Sequence, residues 1–146
     1  DPASIHLETL YAFDELHAAL RGAEHLVLSA PHTPETEGMI GAAELALLAP
    51  GAIIVNVARG ALVDESALID ALESGHVGAA ALDVFQEEPL STDSPFWTMP
   101  NVFVCSHSAG TSDRENERIT DIFCENLRRY LAGESLLNVL DPARMY

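Results

Sequence analysis

Short apolar runs alternate along the chain with segments in which apolar residues recur at helical spacing. The apolar runs are bounded by glycine, proline or polar residues, which is typical of strands. They predict strands at His25–Ala30, Ala52–Val57, Gly78–Phe85 and Asn101–His107. The segments with helical spacing predict helices from Phe13 to Gly22, from Gly41 to Pro50, from Asp64 to Gly75 and from Ser112 to Gly133.

Two of the predicted helices have well-marked ends. Asp64 is the expected N-cap of the third helix, and Gly75 is its expected end, because glycine readily adopts the left-handed conformation that closes a helix. In the last helix, Ser112 and Glu115 have the spacing of a capping box, and Gly133 follows the final apolar position. The boundaries of these two helices are therefore the best defined by the sequence.

The alternation of apolar strands with helices predicts an α/β fold in which helices cover both faces of a parallel sheet. The run Ala52–Val55 contains no polar residue, so we expect this strand to be buried on both faces. In such sheets, ligands bind beyond the carboxyl ends of the strands. The loops that follow the strands are therefore the places to search for functional residues.

Three successive predicted strands are followed by residues that could act on an anion: Arg59, Glu88 and His107. Arginine can hold a carboxylate through two parallel hydrogen bonds. Histidine can give and take a proton near neutral pH, and a neighbouring carboxylate favours and orients its charged form. Together the three predict an anion clamp and a general acid, and Gly60 is expected to let the chain turn so that the clamp faces the cleft. Singly, each is more often a surface charge, a solvated loop residue or a strand-end histidine.

Composition narrows the choice of partners. The 146 residues include seven arginines, no lysine and 23 acidic residues. Nucleic acids and anionic membranes both require a cationic face, so neither is an expected partner. No apolar run is long enough to span a bilayer and the first residues show no signal-peptide pattern, so a cytoplasmic location is expected. Cys105 and Cys124 are too few for a disulfide framework. No second ligand pair at zinc spacing accompanies the motif CSH, Cys105–His107, so no metal site is expected.

Longer segments of the sequence resemble a known family. These segments are NVARGALVDESALIDALESGHVGAAALDVFQEEPL and PFWTMPNVFVCSHSAG. They closely resemble the D-isomer-specific 2-hydroxyacid dehydrogenases, which include glyoxylate/hydroxypyruvate reductases, phosphoglycerate dehydrogenase and formate dehydrogenase. The resemblance runs from LVLSAPHTPETEGMI to LAGESLLNVLDP and so covers nearly the whole chain.

The resemblance implies a reaction and a role for each of the three residues. It implies that Arg59 binds the carboxylate and keto oxygen of a 2-keto acid, that His107 donates the proton, and that Glu88 pairs with His107. The implied reaction is hydride transfer from reduced NAD or NADP, which yields a D-2-hydroxy acid. The resemblance also implies a homodimer. Positions that match cofactor-lining residues of the family are Pro31, Val57, Ala58, Asp83, Ala109 and Gly110.

The chain departs from the family at the phosphate-binding loop, because none of its nine glycines forms the pattern G-x-G-x-x-G. We therefore expect an incomplete, Rossmann-like, doubly wound sheet that lacks its first two strands. In this interpretation residues 1–133 are the C-terminal portion of a dinucleotide-binding domain. Residues 134–146 are a tail that returns toward an absent substrate domain, although a loosely ordered end is equally compatible with their composition.

The usual strand order of this fold predicts where the two missing strands would lie. In the strand order 3-2-1-4-5-6, we expect them between the strand at His25–Ala30 and the strand at Ala52–Val57. Their absence would expose apolar strand edges, which favour aggregation. The chain alone is therefore expected to be inactive, and either it is part of a longer polypeptide or another element fills the gap.

Two other functions are compatible with the same residues. The family also includes corepressors of the same fold, so the chain could belong to a nucleotide-sensing binding protein. It could also be a non-catalytic remnant used for subunit contact. Oxidation of reduced cofactor on addition of a 2-keto acid would separate an enzyme from a corepressor.

The acidic, lysine-free composition suggests a halophilic source. The formal net charge is −16, and salt screens the resulting self-repulsion. We predict that the melting temperature rises between low and molar sodium chloride, as measured by circular dichroism during heating. A melting temperature that does not rise would count against a halophilic source.

Overall fold

The computed structural model describes residues 7–142, and its central feature is a parallel sheet. Four strands pair in parallel in the order β1-β2-β3-β4. The strands are β1 His25–Leu28, β2 Ala52–Asn56, β3 Val77–Leu82 and β4 Val102–Val104. The chain divides into a first unit, which contains the sheet and ends at Ser106, and a second unit that begins at His107. The predicted parallel sheet with connecting helices is confirmed, whereas helices on both of its faces stay a prediction.

Helices connect the strands, and one long helix lies in the second unit. The α-helices are α1 Leu16–Leu20, α2 Ala42–Leu45, α3 Glu65–Glu73 and α4 Glu115–Ala132. Short 3₁₀ helices lie at Phe13–Glu15, Gly60–Leu62 and Pro95–Trp97. None of the helices in residues 7–142 is both long enough and apolar enough to cross a membrane.

The ends of α3 agree with the prediction. The Asp64 carboxylate accepts hydrogen bonds from the main-chain N–H groups of Ser66 and Ala67 at 3.0 and 3.1 Å. Together with the Ser66 hydroxyl, which contributes most, these donors lower the pKa of the Asp64 carboxyl. Gly75 has a φ of 74° just beyond the helix. The predicted N-cap and the predicted terminal glycine of α3 are both confirmed.

Helix α2 is shorter than its apolar spacing predicts. Its expected end at Pro50 is wrong, because the helix ends at Leu45. The Leu47 carbonyl oxygen accepts from the N–H of Gly22 at 2.8 Å, and the N–H of Ala49 donates to Ala23 at 3.0 Å. These main-chain groups, which a longer helix would use internally, instead fasten the segment to the connection between α1 and β1.

The expected position of the missing strands is wrong. Strands β1 and β2 pair directly, with Leu26 opposite Ile54 and Leu28 opposite Asn56. No opening lies between them, so the four described strands form one continuous sheet. Apolar periodicity identifies a strand but not its neighbours, and this is why the sequence placed the absent strands incorrectly.

Burial of the sheet is one-sided. Ile54 is fully buried in a cluster to which α2 contributes Leu45 and α3 contributes Leu68. On the opposite face of the same strand, Ile53 is 39% exposed, and Val27 of β1 is 61% exposed. The expectation that the run Ala52–Val55 is buried on both faces is therefore wrong, because alternate residues point away from α2 and α3.

Helix α4 begins later than predicted. The expected capping box is wrong: Arg114 is the N-cap residue, without a side-chain capping bond, and the helix begins at Glu115. The carbonyl oxygen of Ser112 accepts from the N–H of Glu115 at 3.2 Å, so Ser112 belongs to the preceding turn. At the other end the predicted Gly133 is confirmed, with a left-handed φ of 71°.

The segment after Gly133 folds back along α4. The Asn126 side chain donates to the carbonyl oxygen of Leu137 at 3.1 Å and accepts from its N–H at 2.7 Å. Arg128 bonds the Glu134 carboxylate at 2.8 Å, and Arg129 donates to the carbonyl oxygen of Ser135 at 3.1 Å. Residues 134–137 are thus fixed on the helix, whereas a return toward a substrate domain stays a prediction. Residues 1–6 and 143–146, which belong to the two predicted domain portions, lie outside the described residues.

Glu125 provides a test of the charged contacts of α4. Its carboxylate accepts from Arg128 and from Arg129, and these bonds, that of Arg128 foremost, lower its pKa from 4.5 to about 2. A carboxyl group whose pKa is lower in the folded than in the unfolded chain stabilises the folded state at any pH above its unfolded pKa. This stabilisation is lost as the pH falls through the pKa of the folded state. We predict that the difference in melting temperature between the wild type and Glu125→Gln narrows as the pH falls from about 4.5 to about 2.

Circular dichroism of the helical signal at low ionic strength measures this difference. The variant Glu117→Gln is a suitable control, because it removes only the exposed i,i+3 pair with Arg114 and should have little effect at any pH. A difference between the wild type and Glu125→Gln that is the same at neutral and at acidic pH would contradict the prediction.

Candidate active site at the carboxyl edge of the sheet

Neighbouring strands end at the same level, at one edge of the sheet. The N–H of Val57 donates to Leu28 at 3.2 Å, and the N–H of Asp83 donates to Asn56 at 3.0 Å. The N–H of Cys105 donates to the carbonyl oxygen of Leu82 at 2.8 Å. These bonds continue the parallel pairing one step beyond each strand. The loops after β1, β2 and β3 therefore start side by side, as the sequence predicted.

The loop after β1 is fixed by two buried threonines. The Thr36 hydroxyl donates to the carbonyl oxygen of Pro31 at 2.7 Å and accepts from the N–H of Thr33 at 2.8 Å. Both threonines are less than 10% exposed, whereas Pro31 is exposed. The hydrogen bonds of the two threonines thus hold the exposed ring of Pro31 in place at the edge of the sheet.

The loop after β2 places an exposed arginine beside a small buried residue. Ala58 is 6% exposed, whereas Val57 is 40% exposed and Arg59 is also exposed. Nη1 of Arg59 donates to the carbonyl oxygen of Ala58 at 2.7 Å. The side chain of Asn56 bonds the main chain of both Ala58 and Arg59 at 3.0 Å. The arginine is therefore solvent-accessible on a constrained turn.

Gly60 is required by a close approach and not by a turn. The chain does turn here, into the 3₁₀ helix Gly60–Leu62, but the φ of Gly60 is not in the left-handed region, so this turn does not itself require glycine. A Cβ atom at this position would lie 1.9 Å from the carbonyl carbon of Phe85 and 2.4 Å from the nitrogen of Gln86. Only glycine lets the main chain after β3 lie directly against the residue that follows Arg59.

The loop after β3 is fastened to the segment after β2. The N–H of Gln86 donates to the Glu65 carboxylate at 2.6 Å, and its side-chain amide donates to the carbonyl oxygen of Val63 at 2.8 Å. Within the loop, the exposed Glu88 accepts from the N–H of Phe85 at 3.0 Å. The Glu88 carboxylate therefore has a defined position relative to the turn that carries Arg59.

Asp83 is the remaining predicted residue of this edge. It is 5% exposed, directly beyond β3, and one of few buried charged or polar residues in the first unit. A carboxylate is kept at such a position only with polar partners, and within residues 7–142 no buried side-chain oxygen lacks a hydrogen-bond partner. Asp83 thus lies at the carboxyl edge of the sheet, and its contact with a cofactor stays a prediction.

The predicted site residues fall into two groups. Those in the first unit, at its carboxyl edge, are Pro31, Val57, Ala58, Arg59, Asp83 and Glu88. Those in the second unit are His107, Ala109 and Gly110. His107 is exposed, with a φ of 54° that is unusual outside glycine. The predicted pairing of His107 with Glu88 stays a prediction.

Three residues that shape this edge were not identified from the sequence: Thr36, Asn56 and Gln86. A signal existed for Asn56, because it is the one polar residue of the strand AIIVN and lies at its carboxyl end. The contacts of Gln86 with Glu65 and Val63 join positions more than 20 residues apart, and no local pattern predicts them.

The parallel sheet and the loops at its carboxyl edge define a Rossmann-like dinucleotide-binding fragment. Residues 2–109 match the family described as D-isomer specific 2-hydroxyacid dehydrogenase, NAD binding domain. The chain belongs to this family.

Individual relatives agree with this assignment. The chain is 48% identical over 126 residues to D-3-phosphoglycerate dehydrogenase of Mycobacterium leprae, covering 86% of the chain and 23% of the relative. It is 38% identical over 128 residues to glyoxylate/hydroxypyruvate reductase B of Citrobacter koseri, covering 88% of the chain and 40% of the relative. The chain therefore spans between about a quarter and two fifths of the length of these relatives.

Solved structures share the fold. A D-isomer specific 2-hydroxyacid dehydrogenase from Xanthobacter autotrophicus Py2, in complex with NADPH and MES, superposes with a TM-score of 0.89 at 45% identity, covering 96% of this chain and 58% of that one. The NADPH-dependent glyoxylate/hydroxypyruvate reductase of Sinorhizobium meliloti, in complex with NADP and sulfate, superposes with a TM-score of 0.87 at 35% identity. The match covers 93% of this chain and 44% of that one.

The sheet edge fits one end of a dinucleotide. Exposed apolar surface at Pro31 and Val57, next to the small Ala58, suits an aromatic ring such as nicotinamide. The pyrophosphate, by contrast, is normally bound by a glycine-rich loop, and the printed sequence contains no G-x-G-x-x-G. The residues of this chain thus fit the nicotinamide end of the cofactor.

The close approach at Gly60 generates a prediction about stability. In Gly60→Ala the added methyl group must displace the main chain at Phe85, so the free energy of unfolding should fall by about 3 kcal/mol or more. In the control Gly41→Ala the added methyl group meets only the Glu44 carboxylate at 3.4 Å, and the change should stay below about 1 kcal/mol. Urea unfolding of the complete gene product measures both, and equal losses would contradict the close approach.

Proposed function

We propose that this chain supplies the nicotinamide-side part of an NAD(P)-dependent oxidoreductase that reduces a 2-keto acid to a D-2-hydroxy acid. The observation that carries the proposal is the exposed guanidinium of Arg59 on a constrained turn at the carboxyl edge. Family membership supports the same activity, since the relatives are named D-3-phosphoglycerate dehydrogenase and glyoxylate/hydroxypyruvate reductase.

Arg59 binds the substrate carboxylate in this proposal. A guanidinium carries five N–H donors in a planar fork, and a carboxylate can accept two of them in parallel. The bond from Nη1 to Ala58 restricts the rotamer of the side chain, so less conformational entropy is lost on binding. The same group stabilises negative charge that develops on the keto oxygen during reduction.

His107 donates the proton to that oxygen, and Glu88 orients the imidazole. Histidine suits this role because it changes protonation state near neutral pH, and a carboxylate partner favours its charged form. The bond from the Phe85 N–H to Glu88 supports the assignment, since it gives the carboxylate a defined position. The pairing of His107 and Glu88 is part of the proposal.

The cofactor is NAD or NADP, which supplies the hydride when bound. On the side of the sheet edge, Pro31, Val57 and Ala58 provide apolar contact for the nicotinamide ring. Asp83, Ala109 and Gly110 complete the proposed cofactor contacts. The homodimer and the cytoplasmic location expected from the sequence belong to the same proposal.

Steady-state kinetics of the complete gene product test the proposed function. Glyoxylate, hydroxypyruvate or a branched 2-keto acid should cause oxidation of NADH or NADPH. In His107→Gln, kcat should fall by a factor of about 10² to 10⁴ while the cofactor dissociation constant changes little. In Arg59→Gln, kcat/KM for the keto acid should fall by a factor of about 10² to 10³, because a charged donor to the substrate is lost.

Two exposed residues away from the carboxyl edge serve as controls. Arg21 follows α1, and His25 begins β1 at the amino edge of the sheet. Arg21→Gln and His25→Gln should retain wild-type rates. Near-wild-type turnover in His107→Gln, or no oxidation of cofactor with any of these keto acids, would overturn the proposed function.

A further inference from the structure

Asn56 is a buried polar residue in a row of leucines. In the sheet it lies between Leu28 of β1 and Leu82 of β3, and both leucines are buried. Asn56 itself is 1% exposed. A buried amide costs free energy unless both of its ends are hydrogen-bonded, whereas a leucine would continue the apolar row at no such cost. The amide therefore needs a reason other than packing.

The side chain of Asn56 is hydrogen-bonded to the main chain of residues that follow it in the sequence. Its Oδ1 accepts from the N–H of Ala58 at 3.0 Å, and its Nδ2 donates to the carbonyl oxygen of Arg59 at 3.0 Å. The two bonds lie on either side of the Arg59 Cα, so they restrain the main chain on both sides of the arginine. Within residues 7–142 no buried side-chain nitrogen or oxygen lacks a partner, and the Asn56 amide satisfies this through the turn alone.

The main chain of Asn56 is also tied to the next strand. Its carbonyl oxygen accepts from the N–H of Asp83 at 3.0 Å. Asn56 therefore links the turn that carries Arg59 to the end of β3. Arg59 has extended main-chain angles, a φ of −143° and a ψ of 146°, and its guanidinium returns to the carbonyl oxygen of Ala58. The main chain around Arg59 and the direction of its side chain are both restrained.

We propose that Asn56 is a positioning residue for substrate binding: its side-chain amide fixes the main chain of Arg59 so that the guanidinium meets the carboxylate of the 2-keto acid. The inference rests on the proposed function. It adds a residue that touches neither substrate nor cofactor but acts through Arg59. Without the amide, the Ala58–Arg59 turn gains alternative conformations, and the clamp loses the orientation on which a bidentate contact depends.

A matched control lies at the opposite edge of the sheet. Asn101 precedes β4, and its side-chain amide donates to the carbonyl oxygens of Leu72 and Gly78 at 3.4 and 3.2 Å. It thus makes the same kind of contact with the main chain, at the amino ends of the strands. Asn101→Ala should lower stability without changing the turn at Arg59.

The first test is a double-mutant cycle on the complete gene product. Asn56→Ala should lower kcat/KM for the keto acid about tenfold, which corresponds to the loss of one or two hydrogen bonds that act through Arg59. In the Arg59→Gln background, the same change should lower kcat/KM less than about twofold, because the clamp is already absent. Asn101→Ala should change kcat/KM less than about twofold in either background.

A partial replacement keeps the test valid if Asn56→Ala folds poorly. In Asn56→Ser the shorter side chain offers one hydroxyl oxygen in place of the two separate ends of the amide, so it can still accept from the N–H two residues on but holds the turn more weakly. Its kcat/KM should lie between those of the wild type and of Asn56→Ala. If Asn56→Ala lowers kcat/KM by the same factor in the wild-type and in the Arg59→Gln background, the inference is overturned.

The second test does not depend on activity. Amide hydrogen exchange at Ala58 should accelerate at least about tenfold in Asn56→Ala, because its N–H loses its acceptor, and should not change in Asn101→Ala. Unchanged exchange at Ala58 in Asn56→Ala would overturn the inference whatever the kinetics show. Accelerated exchange in a protein that reduces no 2-keto acid would instead overturn the proposed function and the substrate role of Arg59, but not the hold of Asn56 on the turn.

Discussion

The main chain of β2 is hydrogen-bonded on both sides, to β1 through the pairs that end at Leu28–Asn56 and to β3 through the pairs that end at Asn56–Leu82. This double pairing makes the three strands end at the same level. The main chain just beyond them repeats the pattern, with Val57 bonded to Leu28 and Asp83 bonded to Asn56. Every candidate residue of the first unit takes its position from this alignment.

Two further contacts hold the loops after β2 and β3 together at the candidate site. The missing side chain of Gly60 lets the main chain at Phe85 and Gln86 lie against the turn after β2. The contact of Gln86 with Glu65 then fastens this approach. Flexible loops would lose the relative position of Arg59 and Glu88, and catalysis by positioning requires that position to be kept within a fraction of an ångström.

The charge of the chain sets a second constraint on this site. The first 106 residues contain two arginines, no lysine and 16 acidic residues, so Arg59 lies in a predominantly negative field. In the proposed reaction, such a field would repel the anionic 2-keto acid at a distance, most strongly at low salt. A short-range bidentate contact with a fixed guanidinium can offset this repulsion, because it acts over a few ångströms and is only weakly screened. If Arg59 binds the substrate as proposed, its restraint by Asn56 matters more here than on a basic surface.

The sequence by itself determined that the four strands exist, the ends of α3, the glycine that ends α4, and the placement of Arg59 and Glu88 in the loops after β2 and β3, because these follow from local periodicity and capping chemistry. Only the tertiary structure decided which strands are neighbours, that α2 ends at Leu45, and why residue 60 must be glycine. Each of these depends on a contact between residues distant in sequence, as between Ala49 and Ala23 or between Gly60 and Phe85. Local pattern carries no information about such contacts, since the partner is selected by packing and by main-chain hydrogen bonds between elements.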